Sequence, residues 1–204
     1  MESKKDARRA GILFCFLASD FDVHGRGPWR AQKAMNARGF TLIELLIVVG
    51  VIGLLSAIAV PGLVRARIAA NEASAVSSVR SVLAAQQSYA SAASGGYAVR
   101  LATLGIACPG GTVPFISTDL VSDPSAKGGY RITLAAATGA AAGPLDCNGT
   151  ATRGGFYVTA TPLSLGLDGH RGFASNASGT IFFDASGAAP AEAQMGPGGA
   201  PVVQ

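Results

Sequence analysis

Phe40–Val64 reads FTLIELLIVVGVIGLLSAIAVPGLV, 25 residues with a single charge at Glu44. Arg38 precedes the run and Arg65 and Arg67 follow it. As a helix rising 1.5 Å per residue it covers roughly 37 Å, enough to cross a hydrocarbon core of ~30 Å. The alternative is a helix buried inside a soluble core, and it fails on size. A chain of 204 residues has too small an interior to surround so long an apolar cylinder.

Composition agrees with a membrane segment. Hydrophobic residues make up 49% of the chain and charged residues 14%, against about 25% charged in a typical soluble domain. Mean hydropathy is +0.37. These values exclude a disordered chain and disfavour a fully soluble cytoplasmic protein. Two histidines and three cysteines leave little room for a structural zinc site, which takes four ligands. The formal charge of +4 has a local origin. Residues 1–39 carry eight Lys/Arg against four acids, and the remainder carries eight of each. Excess basic charge before an apolar span marks its cytoplasmic side. A groove tracking nucleic-acid phosphates would need that excess on the folded part, so no nucleic-acid partner is expected.

Glu44 is the anomaly. A carboxylate inside an apolar span costs on the order of 2.5–3.5 kcal/mol. Glu44 lies about one turn inside the segment, so two readings stay open from the residue alone: it snorkels to the interface or it faces a partner. The surrounding residues are Arg38-Gly39-Phe40-Thr41-Leu42-Ile43-Glu44-Leu45. This sequence resembles the class III signal of type IV prepilins and secretion pseudopilins. The resemblance runs in detail over residues 35–95, includes Pro61, and beyond that covers only the general plan.

The resemblance implies an α+β fold of the type IV pilin kind, a long N-terminal helix packed on a small antiparallel sheet head. It implies a structural subunit of a pilus-like filament that is not itself an enzyme and takes no cofactor. A prepilin peptidase would cut after Gly39 and methylate the new amine of Phe40. Glu44 would pair in the filament with the N-terminal ammonium of a neighbouring subunit. The expected partners are the peptidase, identical and related subunits, the inner-membrane assembly machinery and, before assembly, the lipid bilayer. The subunit would cross the inner membrane once, N-terminus cytoplasmic, and end in an extracellular pilus or a periplasmic pseudopilus. A type II secretion pseudopilin or a minor pilin is the nearest alternative, and a single-pass anchored enzyme or binding protein a remoter one. Adhesion, motility, DNA uptake and secretion are all served by such subunits.

Pro61 removes one helix hydrogen bond and is expected to kink or locally melt the segment. Gly50, Gly53 and Gly62 permit close helix packing, or are simply tolerated in a membrane helix. Upstream, residues 1–39 read as a long leader. Its Gly11–Ala18 stretch imitates a short secretory signal, and Met35 offers an alternative start that leaves a short basic leader.

Downstream, residues 65–94 read as an amphipathic continuation of the helix. Ile68, Val76, Val79 and Leu83 recur at helical spacing, and Gly95-Gly96 ends the run. Residues 95–184 form the head. Residues 95–129 read as loop with one short helix near Leu101–Leu104. Strands are predicted at Tyr130–Leu134, Phe156–Thr161, His170–Ala174 and Thr180–Asp184, three or four of them antiparallel, with a hairpin at Asn176–Gly179. Residues 185–204 are low in complexity and are expected to be disordered.

Cys108 and Cys147 are an even pair outside the cytoplasmic membrane and so a disulfide candidate; two buried free thiols are the alternative. For an active site the sequence offers little. His170 sits in a turn-like Asp168-Gly169-His170-Arg171, and no GxSxG elbow occurs. Asp168 and Asp184 are weak calcium candidates, as in some major pseudopilins, without EF-hand spacing, and no metal site is assigned. Asn148-Gly149-Thr150 and Asn176-Ala177-Ser178 fit the glycosylation pattern, which chance often produces.

Overall fold

The computed structural model describes residues 39–203. The leader, Met35 and Cys15 lie outside the described residues. Two compact units divide the chain, one ending at Leu45 and one beginning at Leu46. In the first, Gly39 and Phe40 have no regular structure and helix α1, Leu42–Ala92, begins.

In the second unit α1 continues without interruption to Ala92. The expected local melting at Pro61 does not occur. One missing N–H removes a single rung, and the rungs on either side keep the ladder in place. From Leu46 to Arg67 every residue is exposed. Besides Ser56 and Pro61, residues 46–64 are all Leu, Ile, Val, Ala or Gly. The surface is therefore apolar all round and suits lipid or other apolar helices better than water. This stretch holds the one candidate membrane span among the described residues.

From Ile68 onward one face of α1 is covered by the head. Ala75, Val76, Val79, Val82, Ala85, Gln86 and Tyr89 are buried. Val82 takes the fully buried place and Leu83 packs partly buried beside it. Helix α1 ends where Ser94 and Gly95 adopt positive φ (53° and 95°), with the Gly95 N–H donating to the Ala90 carbonyl at 2.8 Å. Glycine bears that conformation at little cost. Helix α2, Leu101–Leu104, stands where the sequence predicts it and buries both its leucines.

The main sheet is fully antiparallel, in the order β1 (Ser125–Lys127), β2 (Tyr130–Ala136), β5 (Phe156–Pro162), β6 (Gly172–Asn176), β7 (Ile181–Asp184). A separate ribbon pairs β3 (Ala142–Leu145) with β4 (Ala151–Arg153). The four predicted strands are the longer strands of the main sheet; β1, β3 and β4 are additions. Alternation explains the central pair. Tyr130, Ile132 and Leu134 on β2 and Phe156, Val158 and Ala160 on β5 turn inward, with Ile132 opposite Ala160 and Leu134 opposite Val158. The hairpin at Asn176–Gly179 is present, closed by the Gly179 N–H to the Asn176 carbonyl at 3.0 Å.

The C-terminal segment corrects the expectation of disorder. The Phe183 N–H donates to the Pro201 carbonyl (2.9 Å) and the Val203 N–H to the Ile181 carbonyl (2.8 Å), so residues 201–203 pair along β7. The Tyr157 hydroxyl donates to the Pro190 carbonyl and the Thr138 N–H to the Glu192 carboxylate. Gly172 explains why the segment lies so close: a Cβ there would collide with the Ala188 carbonyl. β6 is consequently buried on both faces. Low complexity misleads because small residues serve here as close-packing surface.

Candidate functional site

The N-terminal motif is built on a capping box. The Thr41 hydroxyl accepts from the Glu44 N–H at 3.3 Å, and the Glu44 carboxylate accepts from the Thr41 N–H at 3.4 Å. Two backbone donors at the start of α1 are thus satisfied reciprocally. This box is absent from the sequence reading, although Thr41-Leu42-Ile43-Glu44 has the required spacing. Glu44 also belongs at this helix end on electrostatic grounds, since a carboxylate is favoured near the positive pole of the helix. Gly39, Phe40 and Glu44 are all exposed, so the Gly39–Phe40 bond is open to approach from outside and the carboxylate is open to a partner. Pro61 is exposed inside the apolar helix.

This geometry accompanies a recognisable sequence signature. The chain carries the prokaryotic N-terminal methylation motif, matched over residues 34–60. It is 43% identical over 52 residues to the type IV major pilin protein PilA of Myxococcus xanthus, covering 26% of this chain and 24% of that protein. It is 57% identical over 37 residues to the type IV wide pilus major component PilA4 of Thermus thermophilus, covering 18% of this chain and 28% of that protein. The chain therefore spans about a quarter of the length of these curated relatives. No solved structure matches. The match to the motif ends at Val60, one residue before Pro61.

The remaining sequence-derived candidates have structural settings. Cys108 and Cys147 form a disulfide with Cα atoms 5.4 Å apart, across a separation of 39 residues. Next to it the Tyr89 hydroxyl donates to Asp146 at 2.7 Å, and the Asn148 and Thr150 N–H groups donate to the same carboxylate. Burial alone would raise the Asp146 carboxyl; these donors outweigh it and hold it below the usual value. The Tyr89 hydroxyl is pushed well up by burial and by the Asp146 carboxylate. His170 is exposed, and Asp168 and Asp184 do not come together as an ion cage: among the described residues no group of three or more His, Cys, Asp or Glu could hold a metal ion. The Asp184 carboxylate instead accepts from the Ser186 N–H. In the sequons, Asn148 donates to the Ala107 carbonyl at 3.3 Å, and Asn176 accepts from the Ser178 N–H at 2.9 Å.

A second glutamate on α1 has no counterpart in the sequence reading. Glu72 is buried and receives the His170 N–H at 2.9 Å, the Arg171 Nε–H at 2.8 Å and the Arg171 Nη2–H at 2.6 Å. Burial raises its carboxyl, while these hydrogen bonds and the guanidinium charge lower it further than burial raises it. Beside it the Tyr130 hydroxyl donates to the Arg171 carbonyl at 2.8 Å. Burial, chiefly, pushes that hydroxyl up to about 12. Gln86, wholly buried, pairs through both amide atoms with the backbone of Ala98, at 2.7 and 3.0 Å. No short motif announces contacts between residues so far apart in sequence.

Proposed function

We propose that the chain is a structural subunit of a type IV pilus-like filament and not an enzyme. The observation that carries this reading is the exposed, all-round apolar start of α1, led by Arg38-Gly39-Phe40 and bearing Glu44 as its one charge. A free subunit cannot hold such a surface in water, so it sits in the bilayer and then packs among identical helices. The N-terminus faces the cytoplasm, because the basic excess precedes the span. A prepilin peptidase cuts after Gly39 and methylates the amine of Phe40. The freed ammonium of one subunit then meets Glu44 of the next, and that pair sets axial register in an apolar surrounding. The names of the two relatives, both pilus components, support the reading.

Mass spectrometry of the N-terminus, run separately on sheared surface material and on membranes, tests it. An N-methylated peptide beginning at Phe40 and abundant in the sheared fraction is the expected result. The same peptide confined to membranes points to a pseudopilin or minor subunit. An intact Gly39–Phe40 bond in both fractions overturns the filament reading and leaves a single-pass anchored protein.

A further inference from the structure

We propose that the loop joining β5 to β6 is a lipid-contacting element that rests on the membrane interface while the subunit is stored in the bilayer; this rests on the membrane-stored subunit proposed above. The loop reads Leu163-Ser164-Leu165-Gly166-Leu167-Asp168-Gly169, and its three leucines are 47, 63 and 68% exposed. Backbone bonds hold them outward. The Leu163 N–H donates to the Gly129 carbonyl at 2.8 Å, the Gly166 N–H to the Gly169 carbonyl at 2.9 Å, and the Leu167 and Asp168 N–H groups both to the Ser164 carbonyl. These bonds fix the backbone of the loop, with Leu165 lying against Gly187 and still largely exposed.

Its height along α1 selects the occupant. The Asn71 amide donates to the Asp168 carbonyl at 3.0 Å, and Glu72 holds the His170 N–H. Asn71 lies seven residues beyond Val64, about 10 Å along a helix. With the hydrocarbon boundary at Val64, the headgroup layer extends a further ~5–8 Å. That leaves roughly 2–5 Å between the level of Asn71 and the layer, within the length of a leucine side chain, and in the proposal the three leucines bridge it. Arg65 and Arg67, exposed at the exit of the span, present cations where lipid phosphates lie. Another exposed apolar residue, Val113, belongs to a different height: Phe115, two residues on, packs its ring edge-on against Tyr89, with centroids 5.3 Å apart. Tyr89 is eighteen residues beyond Asn71 on α1, about 27 Å farther from the span.

Single tryptophans placed in the full-length chain test the proposal, in a Trp29→Phe background that removes the only native tryptophan. The sites are Leu63→Trp at the end of the span, Leu165→Trp and Leu167→Trp in the loop, and Val113→Trp as the distant site. The protein is reconstituted in phosphatidylcholine–phosphatidylglycerol vesicles with acyl chains brominated near the glycerol end. Leu63→Trp and both loop variants are expected to emit at shorter wavelength and to lose about half of their emission relative to unbrominated vesicles, while Val113→Trp is unaffected. Having two loop sites covers the case in which one substitution disturbs the fold. If both loop variants behave like Val113→Trp while Leu63→Trp is quenched, the loop proposal is overturned and the span stands. If Leu63→Trp is also unquenched, the membrane reading itself fails. Shielding of the loop tryptophans in sheared filaments but not in vesicles would assign the leucines to a second copy of the chain and likewise overturn the proposal.

Discussion

Glu44 and Glu72 lie on one helix and have opposite environments. Glu44 is exposed, and its carboxylate is hydrogen-bonded only to Thr41 among the described residues. Glu72 is buried and fully engaged by Arg171 and the backbone of His170 and Arg171. The first carboxylate stays open to the surroundings, whereas the second is used inside the subunit, fixing the head to the helix. The same contrast divides α1 itself: residues 46–67 are exposed, and from Ile68 onward one face is buried under the sheet.

The largest expected effect breaks the intermolecular side. Glu44→Ala leaves the head intact, because the hydrogen bonds of that side chain are confined to Thr41 among the described residues. It costs at most a weakened helix start, about 0.5–2 kcal/mol by analogy with lost caps. Assembly should nevertheless collapse. Electron microscopy and quantification of sheared protein are expected to show almost no filaments although cleaved subunit is present in membranes. Normal filaments from this variant would remove Glu44 from the assembly mechanism.

Two changes on the intramolecular side should do the reverse. Cys108→Ser with Cys147→Ser opens a loop whose ends are 39 residues apart, for which chain entropy gives roughly 4 kcal/mol. Loss of near-ultraviolet circular dichroism from the buried Tyr89 and Tyr130, followed during denaturation in detergent, measures it. Glu72→Ala strands the Arg171 guanidinium and the His170 N–H. Arg171 keeps 44% of its side chain in solvent, so the cost falls below that of a fully buried pair, at about 2–3 kcal/mol. The same denaturation assay reads it, and cleavage after Gly39 should be unaffected in both variants.

The contrast between the two glutamates also explains what is legible in the sequence. Glu44 stands out because its neighbours are apolar for 25 residues, a one-dimensional signal. The long helix, α2 and strands β2, β5, β6 and β7 are readable for the same reason, from periodicity and turn residues within short windows. Glu72 looks ordinary in Asn71-Glu72-Ala73, since its partner lies 99 positions away. Strand β7 is no longer than β3, but the hairpin turn before it and its Ile181-Phe182-Phe183 run mark it, whereas β1, β3 and β4 carry no run of aromatic or β-branched residues. The C-terminal segment resists reading because it contributes backbone and small side chains to the sheet. Such packing depends on Gly172 facing Ala188 rather than on any pattern within residues 185–204.

Acid titration sharpens the comparison with the smallest expected effect. The folded state holds the Glu72 carboxyl below its ordinary value of 4.5 and the Asp146 carboxyl below 3.8. A lowered carboxyl means that the unfolded chain binds more protons than the folded one on the acid side, so stability rises with pH there. The contribution of each group is fully present above its unfolded value and is lost as pH falls through its folded one. Head stability should therefore be flat from neutral pH down to about 5 and decline below that. Glu72→Gln should flatten the upper part of the decline, and Asp146→Asn the lower part, because the two ordinary values differ in that order. A curve unaffected by Glu72→Gln would mean that the Arg171 guanidinium and the His170 N–H do not hold that carboxylate in the folded head.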